Sequence, residues 1–153
     1  MANIEKSIDV EVPVRTAYNQ WTQFEEFPSF MEGVTAVTQL DDRHLRWQAK
    51  IGGKDKEWTA EITEQRPDER VAWKSTSGAK NAGVVTFHRL TDRKTRVMLQ
   101  IDYDPAGVVE SVGDAVGLVS ARVSRDLERF KDYIESRQRE TGAWRGEVPA
   151  KGL

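Results

Sequence analysis

The stretch that decides the fold runs from Ser111 to Arg139 and reads SVGDAVGLVSARVSRDLERFKDYIESRQR. Its apolar residues recur at intervals of four, three, four, four, three and four, which puts them on one face of an α-helix. They are Val112, Val116, Val119, Val123, Leu127, Phe130 and Ile134. With Gly142 as the expected C-terminal cap, the pattern predicts a helix of roughly thirty residues. Charged pairs four apart, such as Arg122 with Asp126, are assigned to its solvent side.

A helix with a single apolar stripe has to lie along another element, and the preceding chain predicts a sheet. From Ile4 to Val12 apolar and polar residues alternate, which is the pattern of a half-buried strand. Alternation resumes between Gly33 and Tyr103 in short runs separated by turns. Seven strands in chain order with short connections predict an antiparallel sheet.

Two short helices are predicted between the first strand and the rest of the sheet. Pro13 suits the first turn of a helix, because its missing N–H costs nothing there, and apolar residues follow at helical spacing up to Trp21. A second helical piece from Thr22 to Met31 contains Pro28, so it has to be short or bent. The fold class is therefore α+β, with a seven-stranded antiparallel sheet, two short helices after strand 1 and a long C-terminal helix.

Length and composition exclude several classes of function. The 153 residues suit one domain, and a formal net charge of -2 provides no electrostatic footprint for nucleic acid or an anionic membrane. There is no cysteine, which excludes disulfides, thiolate nucleophiles and thiolate metal sites. The N-terminus lacks the apolar run of a signal peptide, and no run reaches the roughly 20 residues of a spanning helix. We therefore expect a cytoplasmic protein with no stable membrane insertion.

Strand parity directs a set of large aromatic side chains toward the predicted helix. Trp47, Trp58 and Trp73 share the inward face of their strands, and Phe87 and Tyr103 do the same. These side chains either pack into a solid core or line a cavity that a curved sheet leaves unfilled. Because aromatic residues at regular strand spacing usually pack, periodicity by itself favours the solid core.

Two glycines lie one turn apart in the predicted long helix, Gly113 and Gly117. Each costs about 1 kcal/mol relative to alanine inside a helix, so their presence needs a reason. One interpretation is that they make room for a ligand or form a hinge at a cavity mouth. The alternatives are close packing of the helix on the sheet, a homodimer face and a frayed first turn.

Few residues have the character of catalytic groups. His44 follows a surface turn and His88 has parity opposite to Phe87, so both histidines are expected to point away from the interior. Two histidines without cysteine do not suit a catalytic zinc site. No nucleophile triad, phosphate-binding loop or other pattern indicates a cofactor.

Three other polar residues fall on inward positions or at strand ends. Glu64 shares parity with Ile62, Lys6 interrupts the apolar face of the first strand, and Tyr103 ends the last strand. We treat these three as the candidate catalytic residues. Each has an alternative: Glu64 as a solvated carboxylate, Lys6 as an edge lysine reaching outward, and Tyr103 as a core tyrosine with its hydroxyl at the rim.

Three segments of the chain resemble a known family. The first is Val12-Pro13-Val14 with Trp21 and the stretch FEEFPSFM at residues 24–31, the second is EITEQRPDERVAWKS at 61–75, and the third is GVVTF at 83–87. Together they are similar to the START-like superfamily, specifically its polyketide cyclase/dehydrase branch, close to coenzyme Q-binding and lipid-transport-like domains. The likeness extends from about Ile4 to Arg139.

The resemblance implies a helix-grip fold, in which the curved sheet wraps around the C-terminal helix, and we assign this domain to residues 1–142. Residues 143–153 are expected to form a mostly flexible tail, with Trp144 able to dock. The resemblance also implies a cavity that in relatives holds lipids, polyketides, sterols or quinones, and this moves our expectation from solid core to cavity. The expected ligand-binding residues are Phe24, Phe27, Phe30 and Met31 at the mouth, with Trp47, Trp58, Trp73, Phe87, Tyr103, Gly113 and Gly117. The alternative for the four residues at the mouth is that they plug the core.

Three functions follow as hypotheses. The first, which we favour, is a protein that binds a small hydrophobic molecule such as a polyketide, quinone or lipid and carries or sequesters it. The second is a polyketide aromatase/cyclase or dehydrase that acts mainly through pocket shape, with Tyr103, Glu64 or Lys6 as its ionisable group. The third is a dimerising interaction module with a solid core. No nucleic acid, metal or cofactor is expected in any of them.

Overall fold

The computed structural model describes residues 2–51, 53–78, 80–104 and 115–150, and within these it contains one seven-stranded sheet and three helices. In chain order the elements are β1 (Ala2–Val10), α1 (Val14–Trp21), a 3-10 helix (Phe24–Ser29), β2 (Val34–Gln39), β3 (His44–Ile51), β4 (Lys54–Arg66), β5 (Arg70–Gly78), β6 (Asn81–Thr91), β7 (Lys94–Tyr103) and α2 (Ala115–Arg137). The strand order is β1-β7-β6-β5-β4-β3-β2, and every neighbouring pair is antiparallel. This confirms the predicted α+β helix-grip fold.

The curl of the sheet depends on irregularities in its central strands. β4 is 13 residues long and shifts register against β5 twice, between Thr59 and Ala60 and between Ile62 and Glu64. Such bulges bend a strand and increase its local twist. The sheet therefore forms a half-barrel, and α2 lies in its concave face.

The long helix buries the face that its sequence period predicted. In the described part of that stripe Val123, Leu127, Phe130 and Ile134 are buried, and Val119 is partly buried against them. Among the described residues no helix is long and apolar enough to cross a membrane.

The predicted C-terminal cap of the long helix is wrong. α2 ends at Arg137, and Gln138 then adopts a left-handed conformation (φ 59°) and donates its N–H to Ile134 O at 2.8 Å. A positive φ one residue past a helix is the usual stop, and here glutamine occupies it instead of glycine. Gly142 instead packs against Gln23, and a Cβ at Gly142 would come within 2.6 Å of Gln23 Oε1.

The two short helices close one end of the half-barrel, next to the C-terminal half of α2. α1 begins directly after Pro13, and the 3-10 helix contains Pro28 and stays short, as expected. Their aromatic residues meet α2: the Phe130 ring centroid lies 5.1 Å from that of Trp21 and 5.2 Å from that of Phe30. These rings fill the space between helix and sheet at this end.

The expectation of a flexible tail is wrong for residues 143–150, which pack against the sheet and α1. Val148 is buried (3% exposed) and exchanges two backbone hydrogen bonds with Gln65, at 2.8 and 2.9 Å. The Trp144 N–H donates to Thr22 Oγ1 at 3.1 Å, and Arg145 pairs with Asp68 at 2.8 Å. Polar composition suggested disorder, but the partner groups that fix this segment come from distant parts of the chain.

The docked tail predicts a stability effect at Val148. Val148→Ala should lower the free energy of unfolding by about 1–2 kcal/mol, because it removes two buried methyl groups. Urea denaturation measures the change, with Glu147→Ala at the exposed neighbouring position as the matched control. Equal unfolding midpoints for Val148→Ala and the wild type would contradict the docked arrangement.

Candidate functional site

A cavity of about 200 Å³ lies between the concave face of the sheet, α2 and the segment that joins the 3-10 helix to β2. Its wall is mostly apolar. Among the described residues seven aromatic side chains contribute to the wall: Trp21, Phe24, Phe27, Trp47, Trp58, Trp73 and Tyr103. The charged residues of the wall among those described are Glu32, Arg122 and Asp126, which contact one another. The interior is therefore apolar with one charged edge, and Asn81 and Tyr103 are further polar residues of the wall.

Contacts between the aromatic rings hold much of this wall in place. The centroids of Trp47 and Trp58 are 5.7 Å apart and their planes differ by 6°, a stacked pair across β3 and β4. Phe27 lies 5.6 Å from Trp47 and 5.4 Å from Trp21 in tilted arrangements. Offset and tilted contacts of this kind stabilise one ring arrangement over others, so the wall presents a defined surface.

Most of the side chains expected to bind a ligand line this cavity. They are Phe24, Phe27, Met31, Trp47, Trp58, Trp73 and Tyr103. Phe30 and Phe87 lie outside the wall: Phe30 packs on Phe130, and the Phe87 ring is 5.4 Å from that of Tyr18. Both fill the end of the half-barrel that the short helices close, so their expected place at the cavity is wrong.

Of the three candidate catalytic residues, Tyr103 is the one that lines the cavity, where its side chain is buried (2% exposed). Lys6 is half-buried on β1 and is not part of the wall that the described residues form. Gly113 lies outside the described residues, and Gly117 falls in the part of α2 of which only the backbone is described. Roles for these four residues stay predictions.

Glu64 does not turn inward, although its shared parity with Ile62 left that possibility open. The register shift between Ile62 and Glu64 adds a residue to β4, so Gln65 continues the inward face in its place. Gln65 is 1% exposed, whereas Glu64 pairs with Arg66 at 3.2 Å and with Arg70 at 3.4 Å. Strand parity fails here because a bulge leaves no clear mark in the sequence.

Both histidines lie away from the cavity, in agreement with their predicted parity. His88 is exposed, and its Nε2 lies 2.9 Å from Thr86 Oγ1. His44 Nδ1 lies 2.9 Å from Asp41 Oδ1 at the turn before β3. In the part of the chain that the structure describes, no group of three His, Asp or Glu residues is placed to hold a metal ion.

Two of the charged residues of the wall, Arg122 and Asp126, come from α2 positions that we assigned to solvent. Arg122 and Asp126 line the cavity together with Val123 and Leu127. The assignment is wrong because the sheet curves around the helix. The part of the helix surface that faces the interior is therefore wider than the apolar stripe. Arg122 directly precedes Val123 of the apolar stripe, and Asp126 directly precedes Leu127. This proximity to the stripe is the sequence signal for a place at the cavity, and it was missed.

The position of Asp126 changes its acid–base character. Burial raises the pKa of Asp126 to about 6, because removal from water penalises the charged form. The Glu32 N–H, which donates to Asp126 Oδ1 at 3.1 Å, lowers this pKa, and so do the charges of Arg122 and Arg129. The nearby Glu32 carboxylate raises it. A carboxyl group with a pKa near neutrality can take up or release a proton at the pH of a cell.

Comparisons with known proteins agree with this fold and confirm the family resemblance. Residues 10–132 match the family described as polyketide cyclase / dehydrase and lipid transport. An uncharacterized 17.2 kDa protein in the melC2-rnhH intergenic region of Streptomyces lincolnensis is 57% identical over 149 residues, covering 97% of this chain and 99% of that protein.

Two solved structures are similar at low sequence identity. The Zhui aromatase/cyclase from Streptomyces sp. R1128 superposes with a TM-score of 0.76 at 15% identity, covering 94% of this chain and 99% of that one. A START superfamily protein from Mycobacterium smegmatis superposes with a TM-score of 0.69 at 15% identity, covering 88% and 95%. At these identities the likeness shows the fold alone.

The raised pKa of Asp126 predicts a pH-dependent stability difference. The group binds its proton more tightly in the folded state than in the unfolded one, so it costs no stability at low pH and an increasing amount as pH rises from about 4 through 6. Asp126→Asn does not titrate and keeps an acceptor for the Glu32 N–H. Its stability relative to the wild type should therefore increase between pH 4.5 and 7.5.

Urea denaturation at these two pH values measures the difference. Asp132→Asn removes a carboxylate from the exposed side of the same helix and serves as the matched control. A relative stability of Asp126→Asn that stays constant, or falls, with rising pH would show that burial does not raise the pKa of Asp126.

Proposed function

The chain belongs to the polyketide cyclase/dehydrase and lipid transport family, and from this membership and the cavity we propose that it binds a small hydrophobic molecule and carries or sequesters it. The observation that carries the proposal is the apolar, aromatic wall with charged groups at one edge. Sites for small molecules have this composition, since apolar area supplies affinity and a few polar groups set orientation.

The size of the cavity narrows the class of ligand. A volume of about 200 Å³ is below the roughly 300–1,000 Å³ typical of sites for drug-sized molecules. Flat aromatic side chains, among them the stacked pair Trp47 and Trp58, favour a flat ring system. We therefore favour a compact ligand of one or two rings, such as a short polyketide or a quinone head, over an extended lipid chain.

The charged edge indicates where the ligand carries its polar group. Asp126 Oδ1 accepts a hydrogen bond from the Glu32 backbone, and no arginine or lysine among the described residues lies within ion-pair distance of the Asp126 carboxylate. A buried carboxylate gains most from a donor, since a charged group out of water is costly when it is not compensated. A ligand hydroxyl that points toward Asp126 would supply this donor.

A cavity-filling substitution tests the site. Ala49 is buried (5% exposed) and lines the cavity, so Ala49→Leu places extra carbon atoms in the ligand space. Affinity for menadione, a compact neutral quinone, should fall at least about tenfold. Quenching of tryptophan fluorescence reports binding, because three tryptophans of the sheet line the cavity, and the absence of cysteine prevents adduct formation with thiols.

The control is Ala72→Leu, at a half-buried position whose neighbours Val71 and Trp73 line the cavity from the other face of β5. It should leave menadione affinity unchanged. Circular dichroism verifies that both variants fold. If folded Ala49→Leu binds menadione as tightly as the wild type, the cavity is not the binding site. Native mass spectrometry of the freshly purified protein then detects any natural ligand that remains bound, as a mass above that of the chain.

A second function, polyketide cyclisation or dehydration, is favoured by one specific observation. Asp126 combines a pKa near neutrality with a place on the wall, which is what a general acid or base needs. One structural neighbour is named an aromatase/cyclase. The third hypothesis, a dimerising module with a solid core, is not favoured because the interior contains a cavity.

The two favoured functions separate in a turnover assay with a reactive poly-β-ketone substrate. If the chain is an enzyme that uses Asp126, Asp126→Asn should lose about 10²–10⁴-fold in rate, the usual contribution of a positioned acid or base. Binding of menadione should persist in the same variant, and Asp132→Asn should keep full rate. Substrate binding without turnover by the wild type would favour the carrier; equal turnover by Asp126→Asn would exclude Asp126 as the acid or base.

A further inference from the structure

One side of the cavity is closed by a short segment instead of by a strand or helix. Residues 30–33 connect the 3-10 helix to β2. Met31, Glu32 and Gly33 of this connection contribute to the cavity wall, and so does Val34, the first residue of β2. β2 is an edge strand, so the sheet ends here, and Glu32 makes hydrogen bonds from this side of the cavity to α2.

The segment is held to α2 through one residue, Glu32. Its N–H donates to Asp126 Oδ1 at 3.1 Å, and its carbonyl oxygen accepts a hydrogen bond from Arg122 Nη1 at 2.7 Å. Its carboxylate lies 3.2 Å from Arg129 Nη2 and 3.7 Å from Arg125 Nε. Four residues from successive turns of α2 thus converge on Glu32.

The next residue fixes the segment to the sheet and brings the arginine close. Gly33 O accepts a hydrogen bond from the Lys50 N–H at 2.6 Å. Gly33 has φ +88°, and a Cβ at this position would overlap Arg122 Nη1. Glycine is required by its backbone conformation and by the Lys50 backbone oxygen, which would lie 2.9 Å from a Cβ. Glu32 and Gly33 together form a bridge from the helix to β3.

The contacts to Glu32 are of a kind that breaks readily. The side chains of Glu32, Arg125 and Arg129 are each about half exposed, at 48%, 51% and 50%. Ion pairs with this much access to water contribute little and are screened by salt.

We propose that Glu32 is the latch of the ligand entrance: a ligand passes between residues 31–34 and α2 when the contacts between Glu32 and the helix open. This inference rests on the proposed binding function. Arg125 and Arg129 are absent from the cavity wall and form ion pairs with Glu32, so they act as positioning residues for the latch.

A latch makes a kinetic prediction that a binding contact does not. Weakening it lowers the barrier to both entry and exit, so association and dissociation rates rise together while the dissociation constant stays the same. The double variant Arg125→Gln/Arg129→Gln removes the ion pairs of Glu32 without touching the wall. Both rates for menadione, followed by stopped-flow tryptophan quenching, should rise about three- to tenfold.

The matched control is Arg137→Gln/Arg139→Gln, which makes the same change in charge at exposed positions near the end of α2. It should leave both rates unchanged. Faster rates at equal affinity in the first variant alone support the latch. Unchanged rates overturn it, and so does a faster dissociation with weaker affinity, since the arginines would then act on the bound state.

A second measurement tests the latch without a ligand. Amide hydrogen exchange of Glu32, whose N–H is held by Asp126, should be faster in Arg125→Gln/Arg129→Gln than in the wild type and the control. Equal exchange overturns the latch. If the wild type does not bind menadione, both the proposed binding function and the proposed entrance are contradicted. If the wild type binds menadione tightly and Arg125→Gln/Arg129→Gln leaves both rates unaltered, only the entrance is contradicted.

Discussion

The contact of Phe130 with Trp21 and Phe30 packs the long helix against the short helices, and the arrangement of the interior depends on this packing. The three rings lie within 5.1–6.4 Å of one another at the end that α1 and the 3-10 helix close. Toward the other end of α2, beside Val119 and Val123, no described residue fills the equivalent space, and the cavity lies there. Protein interiors are otherwise densely packed, so this void follows from filling one end of the half-barrel and not the other.

The charged edge of the cavity combines function with a cost in stability. Asp126 loses hydration when it is placed against the apolar wall, and its raised pKa records that cost. A carboxylate on the solvent side of α2 would keep its hydration and would not lower the stability in this way. Ionisable groups that lower stability and face a cavity are typical of functional sites. Partial removal from water shifts the pKa into a useful range, and the same removal from water destabilises the charged form. The same helix turns also bind Glu32, so the acid and the closure of the cavity share one set of contacts.

A single bulge in β4 has consequences on both faces of the sheet. It turns Glu64 outward to its arginines and turns Gln65 inward, where Gln65 Nε2 donates to the buried Tyr18 hydroxyl at 3.1 Å. The backbone of Gln65 then pairs with Val148, so the strand that loses a candidate catalytic acid gains a docking point for the C-terminal segment. Buried polar groups need partners of this kind, which explains why the segment after the helix is ordered.

Periodicity alone determined the antiparallel sheet, the short helices interrupted by proline, and the stripe of α2 from Val123 to Ile134, because burial on one face repeats at the period of the element. It also turned Trp47, Trp58 and Trp73 inward and both histidines outward. Three features became known only from the tertiary structure. They are the bulge before Glu64, the packing of Val148 on the sheet, and the place of Arg122 and Asp126 in the cavity wall. The physical reason is that these features depend on how segments distant in sequence pack together. Periodicity reports which face of one element is buried, and it does not report which distant segment covers that face.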